Sequence, residues 1–331
     1  MIRIPKTYTT LPSELKPISH AVYATTACDE VLFRTPDALM NGEAIRLHLK
    51  NCCPDIDFNS LLYCDIQFLL GSIKLASMGS TLDIEIICPK CRESRPYDLN
   101  LQAAIGGLSV KKWFQTIYIE NMVIVFQSPT YKEMIENQTE NFRINKQLYQ
   151  ISLMMHPEDF LDMSSELLQK QKELQLDFQS RCIKSVSTLN GKISVTERKF
   201  IKEWLEQCDI SIQKRISLQL DEAQKESSIP TLSSECNECK YKFPTPIDLD
   251  FCQNFRQKLI PMQEDQIVEM FKVMEKNINK ITDDLLRTVW FMRGGISYED
   301  AFQLTYEERK QIGKIIEEST EFTRKTGLPM G

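Results

Sequence analysis

The sequence predicts an α+β protein in which two zinc-ribbon-like β-knuckles are separated by a mainly helical insert and followed by a helical C-terminal region. Three observations carry this expectation. Two Cys-x-x-Cys pairs, Cys88–Cys91 and Cys236–Cys239, stand in strand-like text. Between them, from about residue 130 to 227, apolar residues recur at helical spacing. Beyond Leu259 the text is helical again, with clear start signals. The 331 residues suggest about two folded units. With 42% apolar and 26% charged residues the chain has enough material for a core, which excludes disorder and a disulfide-stapled miniprotein.

Residues 1–128 read as an N-terminal α+β domain holding the first knuckle. Pro5, Pro12 and Pro17 keep its start extended. Leu61, Leu62, Ile66, Leu69, Leu70 and Ile73 then mark one face of a helix that Gly79 stops. Leu82, Ile84 and Ile86, with Leu99 and Leu101, alternate with polar neighbours and predict a hairpin over 82–101 around the first thiol pair. Ile117–Phe126 predicts a second strand pair turning at Glu120-Asn121. Residues 129–229 read as an insert of several antiparallel helices. Thr130-Tyr131-Lys132-Glu133 opens it as a capping box, and Ser194-Val195-Thr196-Glu197 offers another after the break at Asn190-Gly191. Pro230–Ser234 reads as a linker. It begins a short unit, 230–258, in which Cys236–Phe251 returns to strand text and completes the ribbon. Residues 259–331 form the C-terminal helical region, broken at Gly294-Gly295 and restarted by capping boxes at Ser297–Asp300 and Thr305–Glu308.

Cysteine is the compositional oddity. There are 11, and the start Met1-Ile2-Arg3-Ile4-Pro5-Lys6 has no apolar signal core. No apolar run reaches membrane-spanning length, because Asp65 interrupts the best candidate, Leu61–Leu70. The expectation is a protein made and kept in a reducing cytoplasm, where short cysteine spacings point to metal or catalysis rather than disulfides. Cys28, Cys52, Cys53, Cys64, Cys182, Cys208 and Cys252 are scattered and read as small buried hydrophobes. The two pairs repeat a context: Cys88-Pro-Lys-Cys91 leads to Tyr97-Asp98-Leu99-Asn100-Leu101, and Cys236-Asn-Glu-Cys239 leads to Ile247-Asp248-Leu249-Asp250-Phe251. Each knuckle presents two thiolates to one ion, and two knuckles supply the four soft ligands of tetrahedral zinc. A closed set of Cys88, Cys91, Cys236 and Cys239 around one structural zinc requires the ends of residues 92–235 to lie close together. The alternatives are unrelated buried thiols, and a redox pair at Cys88/Cys91. Strand text on both sides of the first pair argues against the redox pair.

Phosphate-loop, dinucleotide, metalloprotease and nucleophile-elbow motifs do not occur. Asn190-Gly191-Lys192 ends like a phosphate loop, but Ile193 stands where a hydroxyl is needed. His20, His48 and His156 sit in unrelated contexts, His48 reading as partly exposed and His156 as a solvated cap. Asp283-Asp284 and Glu317-Glu318 read as helix faces. No catalytic residue is predicted. Trp290-Phe291-Met292, and Trp113-Phe114 near Tyr118, read as core groups or interface groups. Leu161, Leu167, Leu168, Leu174 and Phe178 form narrow stripes suited to bundle packing or contact with other chains.

Several of these marks together resemble the baseplate hub proteins of T4-type contractile-tailed bacteriophages. They are Leu11-Pro12-Ser13, then Asp65 with Phe68-Leu69-Leu70, Ile73-Lys74, Ser77-Met78-Gly79 and Cys88-Pro89-Lys90-Cys91, and more faintly Pro129-Thr130-Tyr131 and the second thiol pair. Ser13-Glu14-Leu15, Lys74 and Met78 depart from that pattern. The resemblance implies a non-enzymatic structural or assembly role in the central hub of the tail baseplate, hence location in the virion and in host cytoplasm during assembly. Its partners would be other baseplate or tail subunits, with a second copy of the chain a further candidate. The competing reading is a zinc-ribbon nucleic-acid or transcription-associated module using Arg92, Arg95, Lys240 and Lys242. The net charge of −6 opposes it.

Overall fold

A computed structural model describes residues 3–154, 157–191, 193–245, 247 and 249–327. His156, Lys192 and Asp248 lie outside them, as do the side chains of Leu82, Ile84, Arg95 and Leu161. The proline-rich start is extended, and β1 (Thr7–Thr9) pairs antiparallel with β2 (His20–Val22). Three helices follow: α1 (Ala27–Leu32), α2 (Pro36–Met40) and α3 (Glu43–Cys52). The predicted apolar face forms α4 (Ile66–Met78), which buries Ile66, Leu69, Leu70 and Ile73. It ends at Gly79, whose φ of 85° suits a residue without Cβ.

The first knuckle joins β3 (Thr81–Ile87) to β4 (Ser94–Asn100), in register from Thr81↔Asn100 to Ile87↔Ser94. Asn100 then caps α5 (Leu101–Gly106), its side chain accepting the Ala103 amide at 2.9 Å, so Leu101 begins a helix rather than closing the hairpin. The second pair is β5 (Thr116–Ile119) with β6 (Met122–Phe126), turning at Glu120, which takes a φ of 53°.

The segment expected to be a mainly helical insert contains α6 (Tyr131–Met154), α7 (Pro157–Cys182), α8 (Arg198–Gln207) and α9 (Ile210–Glu226). Between α7 and α8 lie β7 (Ile183–Thr188) and β8 (Ser194–Val195). β7 pairs with β6 and β8 with β7, giving a four-stranded antiparallel sheet ordered β5-β6-β7-β8. β-Branched Ile183, Val186 and Thr188 favour strand, and Ile183 and Val186 are both buried, with a register shift between Val125 and Phe126 on the partner strand. The capping box expected at Ser194 is therefore strand, and α8 starts at Arg198 after Glu197. The box at Thr130 holds: Glu133 Oε2 accepts the Thr130 amide at 3.0 Å.

The expected linker contributes β9 (Leu232–Glu235), which pairs with β10 (Lys242–Thr245) around the second knuckle. The strand expected to end at Phe251 is replaced by a helix start. Asp250 caps α10 (Phe251–Leu259), accepting the Gln253 amide at 2.9 Å. The two thiol pairs thus share a fuller repeat, a β-knuckle followed by a Leu-Asn/Asp helix start. One continuous core draws on residues from Val22 to Leu259. Trp113 is buried there and donates its indole N–H to Ser227 Oγ at 3.0 Å.

The C-terminal region forms α11 (Glu264–Phe291), α12 (Tyr298–Phe302) and α13 (Tyr306–Thr326), with both predicted caps in place. Its own small cluster joins Ile281, Leu285 and Ala301 to Ala27 of α1. Trp290 is 81% exposed and so belongs to the surface.

Candidate metal centre

Each knuckle is a tight backbone turn made by hydrogen bonds within its own hairpin. The Cys88 amide donates to Glu93 O and the Arg92 amide returns to Cys88 O, both at 2.9 Å. In the second knuckle, Cys236 donates to Tyr241 O and Lys240 to Cys236 O, both at 3.0 Å. The residue after each second cysteine, Arg92 or Lys240, has a left-handed φ of 60° or 54°. This shared geometry turns both sulfurs of a pair to one side.

The two knuckles face each other. Cys88 Sγ lies 3.7 Å from Cys239 Sγ, and Cys91 Sγ lies 3.4 Å from Cys236 Sγ. All four sulfurs lie within 4.8 Å of one another. Four Zn–S bonds of about 2.3 Å at tetrahedral angles put neighbouring sulfurs about 3.8 Å apart. The donor set and spacing therefore fit a tetrahedral thiophilic ion. Cys88 and Cys236 are buried with Ile86 and Phe243, Cys239 is partly buried and Cys91 is exposed.

The knuckle amides prepare the sulfurs for charge. At Cys88, desolvation pushes the thiol up, but hydrogen bonds from the Cys91 and Lys90 amides and the nearby Cys91 and Cys239 thiols bring it down to about 6. Cys236 is lowered chiefly by the Cys239 amide. At Cys91 the Glu93 amide pulls down, yet the surrounding thiols and desolvation push the group up to about 12. Packing four thiolates together is repulsive, and a divalent cation among them removes that repulsion. Of the basic residues near the knuckles, Lys242 pairs with Glu235 at 3.5 Å and the Lys90 ammonium lies 5.9 Å from the Tyr241 ring centroid.

A second group escaped the sequence reading. Asp29, His48 and Cys52 are all buried, which corrects the expectation that His48 is partly exposed. Asp29 Oδ1 is 3.2 Å from His48 Nδ1, and Oδ2 accepts the Thr26 amide at 2.8 Å. Asn51 also donates to Oδ1, at 3.1 Å. Burial raises the Asp29 carboxyl, but the His48 contact, the Thr26 amide and Asn51 outweigh it and leave the group below its ordinary value. Cys52 is pushed well up, first by desolvation and then by Asp29, and so stays a neutral thiol. The signal was present: His48 falls on the buried stripe of α3 with Ile45, Leu49 and Cys52. These are ligand-type atoms, but hydrogen bonds from Thr26 and Asn51, together with the His48 contact, already satisfy the carboxylate.

No curated protein and no solved structure matches the chain. A family model does, over residues 14–255, which takes in both knuckles, the segment between them and the four-stranded sheet. That range is well over half of the 331 residues, and the chain belongs to the T4 bacteriophage base plate protein family.

Proposed function

We propose that this baseplate component serves in the central hub of the tail, as a structural or assembly subunit rather than an enzyme, and that Cys88, Cys91, Cys236 and Cys239 hold one structural zinc. The observation that carries the zinc reading is the convergence of two sequence-distant sulfur pairs to within 4.8 Å. A closed four-thiolate site leaves no coordination position for substrate, so its work is to fix the β3–β4 hairpin against β9–β10. In isolated zinc-finger peptides such binding is worth on the order of 10 kcal/mol at neutral pH. Among the proposed unit boundaries, the one near residue 258 draws its support from the family match, which ends at residue 255.

Metal analysis of the purified protein, wild type against Cys236→Ser, tests the centre. One zinc per chain in the wild type, absent from the variant and accompanied by a lower melting temperature, is the expected result. Unchanged stability after complete chelation would overturn it. Hub placement is tested by epitope-tagging the chain and locating the tag on isolated baseplates by electron microscopy. A tag on the tail axis supports the hub, and one at the baseplate periphery refutes it.

A further inference from the structure

Away from the sulfurs, a cavity of about 530 Å³ opens between α1, α4, the start of α10 and α13. Its apolar wall includes Phe33, Leu70, Leu249 and Phe251, with the Phe33 and Phe251 ring centroids 4.8 Å apart. Met78, Phe251 and Tyr306 line it and are exposed, so the cavity is reachable from solvent. Tyr306 comes from the helical region beyond the family match.

The polar groups in this wall are unbalanced. Lys74 and Arg34 both line it. The Lys74 ammonium makes neither a hydrogen bond nor an ion pair among the described residues, and the Arg34 guanidinium donates there only to the Glu30 carbonyl, at 2.7 Å. The Glu30 carboxylate, the acidic group in the lining, is already paired with Arg309. His48 also lines the cavity; Asp29 holds its Nδ1, and its Nε2 has no partner among the described residues. Desolvation lowers the Lys74 ammonium, only partly opposed by Glu30, as expected of a half-buried cation lacking a close counter-charge.

We propose that this cavity binds a carboxylate carried on an apolar body, with the carboxylate at the Lys74 ammonium and the body against Phe33, Leu70 and Phe251. A charged acceptor there would supply the partner that Lys74 lacks, and the aromatic wall would bury the remainder. The shared chemistry admits two sources, a small free acid or the C-terminal residue of a neighbouring chain.

Isothermal titration of the intact protein with 3-phenylpropionate, against 3-phenylpropionamide, tests the proposal. A second arm uses acetyl-Gly-Gly-Phe with a free or an amidated terminus. The expected result is that an acid binds at least about tenfold more tightly than its amide. Lys74→Met should abolish that preference and Lys74→Arg restore it, which separates lost recognition from a folding defect. Preference confined to the small acid assigns a free ligand, and preference for the peptide acid assigns a chain terminus. Equal binding of acid and amide, no binding of either acid, or an unchanged preference in Lys74→Met would overturn the proposal.

Discussion

The backbone N–H of Ser13 donates to Asp65 Oδ1 at 3.0 Å, and the Ser13 hydroxyl donates to Asp65 Oδ2. Residues far apart in the text, both among the marks of the family resemblance, are thus one interaction. Asp65 is fully buried at the start of α4, and Ser13 gives it hydrogen bonds in place of water. Ser13→Ala should therefore lower unfolding free energy by about 1–3 kcal/mol in urea titrations at neutral pH.

Asp65 also sets a pH dependence. Burial raises its carboxyl above the ordinary value, with the Ser13 hydrogen bonds opposing and Glu14 adding to the rise. A raised acid makes its favourable contribution while protonated. Stability from this group is lost as pH climbs from the unfolded value of about 4 through the higher folded one. Asp65→Asn, which cannot ionise, should gain on the wild type across that interval in a pH series of thermal melts.

At Asp29 the sign reverses. Its carboxyl is depressed when folded, so its contribution is present above the unfolded value and disappears as pH falls through the folded one. Asp29→Asn removes the charge from a buried carboxylate that accepts hydrogen bonds from Thr26 and Asn51 and faces His48, and should cost about 1–3 kcal/mol at pH 7. The difference should shrink toward strongly acidic pH in denaturant titrations.

Removing metal should matter more than removing any single buried thiol outside the centre. Chelation is expected to lower the melting temperature, with recovery on adding Zn²⁺ but not Mg²⁺, because thiolates select the softer ion. Cys28→Ser, at a half-buried cysteine outside the four, should leave the metal content unchanged.

Lys146 on α6 donates its ammonium to the carbonyls of Leu259, Ile260 and Met262, at 2.8, 3.2 and 2.5 Å. It thereby caps the end of α10 from another helix. Lys146→Met keeps the apolar stem and should cost about 2 kcal/mol by chemical denaturation, with secondary structure unchanged by circular dichroism.

The sequence carried the local features well. Thr130 and Glu133, Gly79, and the Cys-x-x-Cys turns act over a few residues, and the structure places each as expected. What failed depended on partners distant in the chain. Ile183 follows α7 directly, without a Gly or Pro to announce the change, so β7 becomes evident only beside β6. Asp250 reads as a strand residue until its cap to Gln253 is seen. Ser13 and Asp65 each look ordinary alone. At the sulfurs, repetition of one short pattern announced the long-range meeting, which is why that meeting could be foreseen.

The closeness of the two knuckles has a mechanical side. With an ion gripping all four sulfurs, residues 92–235 become a bight pinched at its neck. Tension between the N-terminal strands and α13 would pass through the metal–thiolate bonds and bypass the enclosed helices and sheet. On the order of 500 Å of extended contour would then be withheld from stretching. Such a tie would shield the enclosed segment of a base plate component from unravelling.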